Sequence, residues 1–305
     1  MSTPVRVANM SGEIYYAPQM VADRAGFLRD EGLELQSVLV DTCDVPAALD
    51  RDEVDIALCG MWQPWLYNTL RGTDYRVFAQ LNQQVPLSLF GRVPAAEHDW
   101  GALSAGGTTL LTSLVACSPW AALQGLLLEQ GVDLGTMRMV DGFPPAEAHE
   151  LFRSGYGDVL EIFTSLDVVP FLRDPDLHLV ADWREDLGPI PWSVYFTGAE
   201  KLASYRDETV AFTRALGRAH TWLREHDAGE VAELILPNFP GAAVDDVALV
   251  VAQFQGTDQW PEDAHVQRDA SLRWQGILER VGVLPGGVTF DELVDTTVAT
   301  GAVGA

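Results

Sequence analysis

Short apolar, β-rich runs alternate with longer amphipathic stretches through the first two thirds of the chain. VRVAN precedes a helix-length stretch over Pro18–Glu31, ELQSVLV precedes Val45–Asp52, VDIALC precedes Trp62–Leu70, and RVFAQL closes the series. Apolar runs this short, set between helical stretches, predict βαβ units and a largely parallel sheet. After PLSLFGRVPAAEHDWG, where Pro, Gly and Ala loosen the pattern, a second series begins. It reads TTLLTSL, a helix over Pro119–Gln130, MRMVDGF, a helix over Ala146–Arg153, DVLEIF, a helix over Leu166–Leu172, and HLVADW. From Pro191 one further strand, WSVYFTG, is followed only by helical patterns, over Asp207–Glu225, Val244–Phe254 and Val266–Val281.

The expected fold class is therefore α/β in two lobes: residues 1–91 with 192–305 form a discontinuous first lobe carrying a helical tail, and residues 92–191 form the second. Strands near Pro86–Arg92 and Trp192–Thr197 would join them, which predicts a hinged cleft for a small ligand. A length of 305 residues suits two cores better than one.

Charge narrows the partners. The 44 acids outnumber 19 bases, for a formal charge of -25, and Lys201 is the single lysine. A field of that sign disfavours nucleic acid and anionic membranes and mildly favours cationic ligands. No apolar run is long enough for a membrane span. Cys43, Cys59 and Cys117 form neither a CxxC pair nor a metal-ligand spacing with histidine, so neither a disulfide framework nor a structural zinc is expected. MSTPVRVANMSGE shows no export signal, so the chain as written reads as cytoplasmic, and as periplasmic or cell-surface if its N-terminus is trimmed.

The stretch YYAPQMVADRAGFLRDEGLELQSVLV places Tyr16, Ala22, Gly26, Phe27, Glu31, Gly32 and Leu33 in a recognisable order. VDIALCG, LLLEQGVDLGTMRMV, ELFRSGYGDVLEIF, WSVYFTG, FTRALGRAHTWLREHD, RWQGILERVGVL and TFDELVDT follow it. This order resembles the solute-binding proteins of ABC importers for nitrate, aliphatic sulfonates, taurine and thiamine pyrimidine precursors, over nearly the whole chain. The resemblance implies a type II periplasmic-binding-protein fold, with mixed sheets and helices on both faces. It also implies a small-molecule ligand in the interlobe cleft and, if the chain is exported, an importer permease as partner. The same fold houses cytosolic enzymes, among them a sulfinate desulfinase with a cysteine nucleophile and a pyrimidine synthase using pyridoxal phosphate on lysine. Fold alone does not choose between them.

In that family the ligand pocket is built from loops following the strands, which points to Ser11, Glu13, Tyr15 and Tyr16 after the first strand. Glu13 stands near the desulfinase cysteine position, and a carboxylate beside two tyrosines suits a cationic or amino-bearing ring, or else is a surface turn residue. Asp41-Thr42-Cys43-Asp44 reads as a helix cap, and Cys43 is the best nucleophile candidate although its aspartate neighbours oppose thiolate formation. In CGMWQPW, Gly60 is read as turning the chain, Pro64 as opening a helix, Trp62 as a stacking wall, and Trp65 as core. Ser113 and Ser118 offer hydroxyls in the second lobe, Ser118 as a ligand contact or a helix cap. Glu161 interrupts the apolar run DVLEIF, so it needs a partner or faces a ligand. Trp192, Ser193 and Tyr195 lie on the return strand and would close the pocket.

The six histidines read as surface or packing residues, and Lys201 is poorly placed for Schiff-base chemistry, so no cofactor and no metal are expected. The leading reading is a protein that binds an amino-bearing or cationic, aromatic small molecule. The rival is a cytosolic enzyme on the same scaffold, using Glu13 or Glu161 as acid or base and Cys43 as nucleophile.

Overall fold

The computed structural model describes residues 2–10, 12–112 and 117–303, without the side chains of Cys43 and Val303. Its ten strands are β1 (Thr3–Asn9), β2 (Leu33–Leu39), β3 (Ile56–Gly60), β4 (Tyr75–Gln80), β5 (Leu87–Gly91), β6 (Thr109–Thr112), β7 (Arg138–Val140), β8 (Val159–Phe163), β9 (His178–Leu179) and β10 (Ser193–Gly198). They form two five-stranded sheets, one in each of two compact units.

The first unit comprises Met1–Gln83 and Ile190–Ala305, and its sheet has the order β2-β1-β3-β10-β4. β1 pairs in parallel with β2 and β3, whereas β10 runs antiparallel to both β3 and β4. All five residues of β3 are buried, which is why its sequence is a continuous apolar run rather than an alternating one. The helix Arg206–Glu225 lays Phe212, Leu216, Ala219 and Leu223 inward at helical spacing. Its acids Asp207 and Glu208 sit in the first turn and Arg224 in the last, as the helix dipole favours.

The tail adds a helix that hydrophobic periodicity did not reveal, Ala228–Ile235. It starts at a capping box in which Asp227 accepts from the Glu230 N–H and Glu230 accepts from the Asp227 N–H. The signal was present as Asp-x-x-Glu ahead of an apolar run.

The second unit is Gln84–Pro189, with the sheet order β7-β6-β8-β5-β9. The division thus falls at 83/84 and 189/190, earlier than the expected 91/92 and 191/192. The reason is pairing: Leu87–Gly91 lies antiparallel to β8 in the second sheet, in register from Leu87↔Phe163 to Gly91↔Val159. HLVADW, expected as a full strand, is extended only at His178–Leu179. Asp182 then ends the extended run by capping the short helix Trp183–Asp186, its side chain accepting from the Arg184 N–H.

Candidate functional site

In the first unit, β1, β2 and β3 all end at one edge of the sheet, and antiparallel β10 begins there, because Ser193 pairs with Gly60 and Val194 with Gln80. Loops at the carboxyl ends of parallel strands are where open α/β sheets place ligands. The Met10 sulfur ties three of these ends together. It accepts hydrogen bonds from the Thr42 hydroxyl at 3.1 Å and the Cys59 thiol at 3.2 Å. Gln63 Nε2 adds a 2.6 Å bond to the Thr42 carbonyl. Neither Met10 nor Gln63 was singled out from the sequence, since a methionine after a strand and a glutamine in a helix carry no pattern.

Asp41-Thr42-Cys43-Asp44 is a 3-10 turn, Thr42–Asp44, leading into the helix Val45–Asp50. The expected side-chain cap is not made by Asp41 or Asp44. The turn is closed instead by the Asp44 N–H donating to the Asp41 carbonyl at 2.8 Å, and the Thr42 hydroxyl is spent on Met10. The Cys43 side chain lies outside the described set, so its reading as a nucleophile rests on the sequence.

Trp62 opens the helix Trp62–Arg71 and is half-buried, whereas Trp65 is buried in the core. Gly60 does not turn the chain through a left-handed conformation, because it is absent from the glycines with positive φ among the described residues. Its role is close approach: a Cβ there would lie 2.6 Å from Trp62 Cδ1 and 2.7 Å from Nε1. The indole therefore lies directly on the end of β3. Gly60→Ala is expected to displace it and to destabilise the first unit by about 1–3 kcal/mol through overpacking. Urea denaturation followed by tryptophan emission reads both effects, and an unchanged spectrum would refute this placement of the indole.

Tyr15 and Tyr16 are buried on the 3-10 turn Ile14–Tyr16, their rings edge-on with centroids 4.4 Å apart. The Tyr16 phenol is raised well above its ordinary pKa, chiefly by burial and further by Tyr15 and the Cys59 thiol beside it, so it stays a protonated hydroxyl. Glu13, half-buried, precedes this turn and its carbonyl accepts from the Tyr16 N–H at 2.9 Å. Ser11 lies outside the described residues.

Two residues of the expected return strand are packed inside the first unit. Tyr195 is fully buried, its hydroxyl donating to Gln19 Oε1 at 2.9 Å and its ring packed on Phe78 and Phe212. Trp192 is buried with its ring 6.1 Å from that of Trp274. Tyr195 is enclosed because β10 is an inner strand, flanked by β3 and β4, and Trp192 stands just ahead of that strand.

In the second unit, Glu161 sits on β8, the central strand of its sheet, with no solvent exposure. The Thr112 hydroxyl, directly across the β6 ladder, donates to Glu161 Oε2 at 2.6 Å. Oε1 has no hydrogen-bond partner among the described residues. Burial pushes this carboxyl up to about 8 against the opposing pull of the Thr112 bond, so it is protonated near neutrality. Elsewhere in this unit, Ser88 and Thr164 join hydroxyls at 2.8 Å. Ser118 is half-buried within the helix Cys117–Glu129 rather than at a cap position ahead of it. Ser113 lies outside the described residues. Burial pushes the Cys117 thiol up to about 11, and Cys59 is fully buried, so neither has the environment of an activated nucleophile.

Lys201 stands just past the end of β10 opposite Ser193, away from the strand ends gathered around Met10. It donates to Asp55 at 2.7 Å, and Arg6 reaches the same carboxylate at 2.8 Å. Against the desolvation imposed by burial, these bonds hold the Asp55 carboxyl down at about 2 instead of 3.8. Its contribution is thus present above pH 3.8 and is lost as pH falls through about 2. Asp55→Asn is expected to cost about 2 kcal/mol at pH 7 and much less at pH 2, measured by urea midpoints. Equal losses at both pH values would refute the ion-pair account.

Among the described residues, no three His, Cys, Asp or Glu side chains stand together to hold a metal, and no helix is long and apolar enough to cross a membrane. No protein-family profile matches the chain. A candidate binding protein of Bacillus subtilis (strain 168), YtlA, is 25% identical over 301 residues, covering 97% of this chain and 89% of that protein. The ligand-binding component of an ABC-type import system from Staphylococcus aureus, solved with zinc bound, covers 100% of both chains with a TM-score of 0.76 at 11% identity. The periplasmic aliphatic sulphonate-binding protein SsuA from Escherichia coli covers 96% of this chain and 97% of its own, with a TM-score of 0.72 at 15% identity. The desulfurization enzyme DSZB also superposes, with a TM-score of 0.66 at 16% identity, over 98% of each chain. From end to end, then, the chain has the periplasmic-binding-protein fold shared by the ligand-binding components of nitrate and sulfonate importers and by this desulfurization enzyme.

Proposed function

We propose that this chain is a small-molecule-binding protein of the kind that serves ABC importers, with an aromatic, amino-bearing ligand. The observation that carries the reading is the Trp62 indole, half-buried at the carboxyl end of the first sheet and laid over Gly60. A flat apolar face at the carboxyl end of a parallel sheet is a stacking platform for a ring. The full-length similarity to binding components supports the binding role over catalysis, and so does the lack of an activated thiol among the described cysteine side chains.

In the second unit taken by itself, Glu161 is the candidate contact for an amine, because its Oε1 has no hydrogen-bond partner among the described residues. A protonated carboxyl there ionises once an ammonium arrives, because an opposite charge favours the charged form. Ligand binding near pH 7 is therefore expected to release a proton. Thr42, Glu13 and Tyr15 are assigned as further contacts of the first unit, and Ser118 of the second. Under this reading the protein acts outside the cytoplasmic membrane and its partner is an importer permease.

Native mass spectrometry of freshly purified protein, followed by thermal-shift screening with amines, sulfonates, pyrimidines and aromatic acids, tests the proposal. A ligand recovered unchanged that raises the melting temperature supports binding. Trp62→Ala should weaken that ligand about tenfold or more while leaving the unliganded melting temperature within a few degrees. A ligand that emerges altered in mass would make the protein an enzyme, and undiminished binding by the Trp62 variant would remove the stacking platform.

A further inference from the structure

In the first unit the loop 257–267 joins the helices Val244–Gly256 and Arg268–Arg280, and it reaches back to the turn that follows β1. Trp260 on this loop is buried, and its Nε1–H donates to the Tyr15 carbonyl at 3.1 Å, across 245 residues of chain. Tyr15 lies on the single 3-10 turn Ile14–Tyr16, which the Tyr16 N–H closes on the Glu13 carbonyl. A further 3-10 bond would bring the N–H three residues on to the Tyr15 carbonyl, but that residue is Pro18, which has none. The indole brings a donor from outside the turn.

The loop is itself held at several points. The Gln80 N–H donates to the Ala264 carbonyl at 2.9 Å, and Gln80 Oε1 accepts the Gln267 N–H at 3.0 Å. Gln83 donates its N–H to the Gln259 carbonyl at 2.8 Å and its Nε2 to the Asp258 carbonyl at 3.0 Å, and its Oε1 accepts from Gln267 Nε2 at 2.9 Å. Asp258 keeps a left-handed φ of 51°, a conformation that persists only where the surroundings enforce it. The Trp260 ring packs on Phe254, with centroids 5.7 Å apart. An indole has one N–H and one direction in which to give it, so mounting it on a pinned loop fixes the carbonyl it meets. We infer that Trp260 is a positioning residue of the binding site: its N–H holds the turn that presents Glu13 and Tyr15, without meeting the ligand itself. The inference rests on the reading of Glu13 and Tyr15 as ligand contacts, and adds what keeps them in place.

Trp260→Phe keeps a ring against Phe254 and deletes the N–H, whereas Phe254→Leu loosens the packing and keeps the N–H. Hydrogen exchange of the intact protein, read by mass spectrometry, follows residues 13–17, and calorimetry follows benzylamine as the probe. Positioning predicts that Trp260→Phe speeds exchange of the turn about three- to tenfold, the worth of one hydrogen bond, while the ladder between β1 and β3 exchanges as in the wild type. Benzylamine binding should weaken by a similar factor, and Phe254→Leu should change neither. A tryptophan that served packing alone would lower the melting temperature in both variants and leave the turn no faster than the ladder. Gln267→Met leaves the indole in place but cuts the loop from Gln83 Oε1, so it too should speed the turn and replaces Trp260→Phe if that variant does not fold.

Faster exchange of the turn together with weaker benzylamine binding supports the inference. Unchanged exchange overturns it and leaves the binding reading as it is. Faster exchange with undiminished benzylamine binding means that the turn meets no ligand, which overturns the role of Trp260 in the site. A wild-type protein that ignores benzylamine fails the amine-binding reading, while faster exchange in Trp260→Phe still upholds the hold of the indole on the turn.

Discussion

Above pH 6.5, Glu161→Gln is expected to abolish a loss of stability that the wild-type protein suffers as pH rises. The Glu161 carboxyl ionises at about 8 in the folded chain against an ordinary value of 4.5. Between those values the unfolded chain carries the ionised form while the folded chain still holds its proton. Unfolding therefore releases a proton, and each unit of rising pH shifts the balance toward unfolding by about 1.4 kcal/mol. The contribution is complete below pH 4.5 and gone once pH has passed about 8. Glutamine has nearly the same shape and offers Thr112 the same acceptor oxygen, but has nothing to ionise. Urea denaturation of the second unit at half-unit steps from pH 6 to 8.5 should give a falling profile for the wild type and a flat one for the variant. Parallel profiles would mean that water or a cation already compensates the carboxylate, and would remove the physical basis for proton release on ligand binding.

The same residue shows what a sequence can disclose about a site. A carboxylate inside DVLEIF is conspicuous because every neighbour in the strand is apolar, and the structure places it fully buried with one partner among the described residues. CGMWQPW was legible for a related reason: a glycine and a proline around an aromatic residue announce a constrained strand-to-helix junction, although Gly60 serves close packing rather than a turn. The alternation of runs such as VDIALCG with amphipathic stretches carried the two-sheet plan, because burial on both faces makes an inner strand such as β3 a continuous apolar run.

What stayed hidden depends on direction rather than on composition. Tyr195 and Trp192 lie on the expected strand, but period-two alternation does not say which face meets a helix, and both proved to be packed inside. Asn82, in the polar run LNQQVP, looks like ordinary linker sequence. Only its bond to the Ser193 N–H, across more than a hundred residues of chain, reveals it as part of the sheet edge. Met10 shows the same limit, since its sulfur gains a role from Thr42 and Cys59, which are distant in sequence.

On the acid side the controlling group is His220, and its sign is opposite to that of Glu161. The imidazole is fully buried in the first unit, with Nε2 2.9 Å from the Leu81 carbonyl, so the neutral ring donates there. Burial pushes it down to about 4 from 6.5, a shift that the Leu81 bond only partly opposes. Below pH 6.5 the unfolded chain takes up a proton that the folded chain refuses until about pH 4. Stability is therefore fully present above pH 6.5 and falls by about 1.4 kcal/mol per unit on acidification through that window. His220→Gln keeps an N–H for Leu81 and removes this limb. The half-buried His98 and His149, also lowered by desolvation, leave a residual slope of the same sign. From pH 4.5 to 6.5 the Glu161 and His220 slopes oppose each other, so a wild-type chain that unfolds in one transition is flatter there than either variant. If the units unfold separately, the first transition carries the His220 slope and the second the Glu161 slope. A His220→Gln protein whose stability changes with pH between 4.5 and 6.5 with the same slope as the wild type would overturn the assignment.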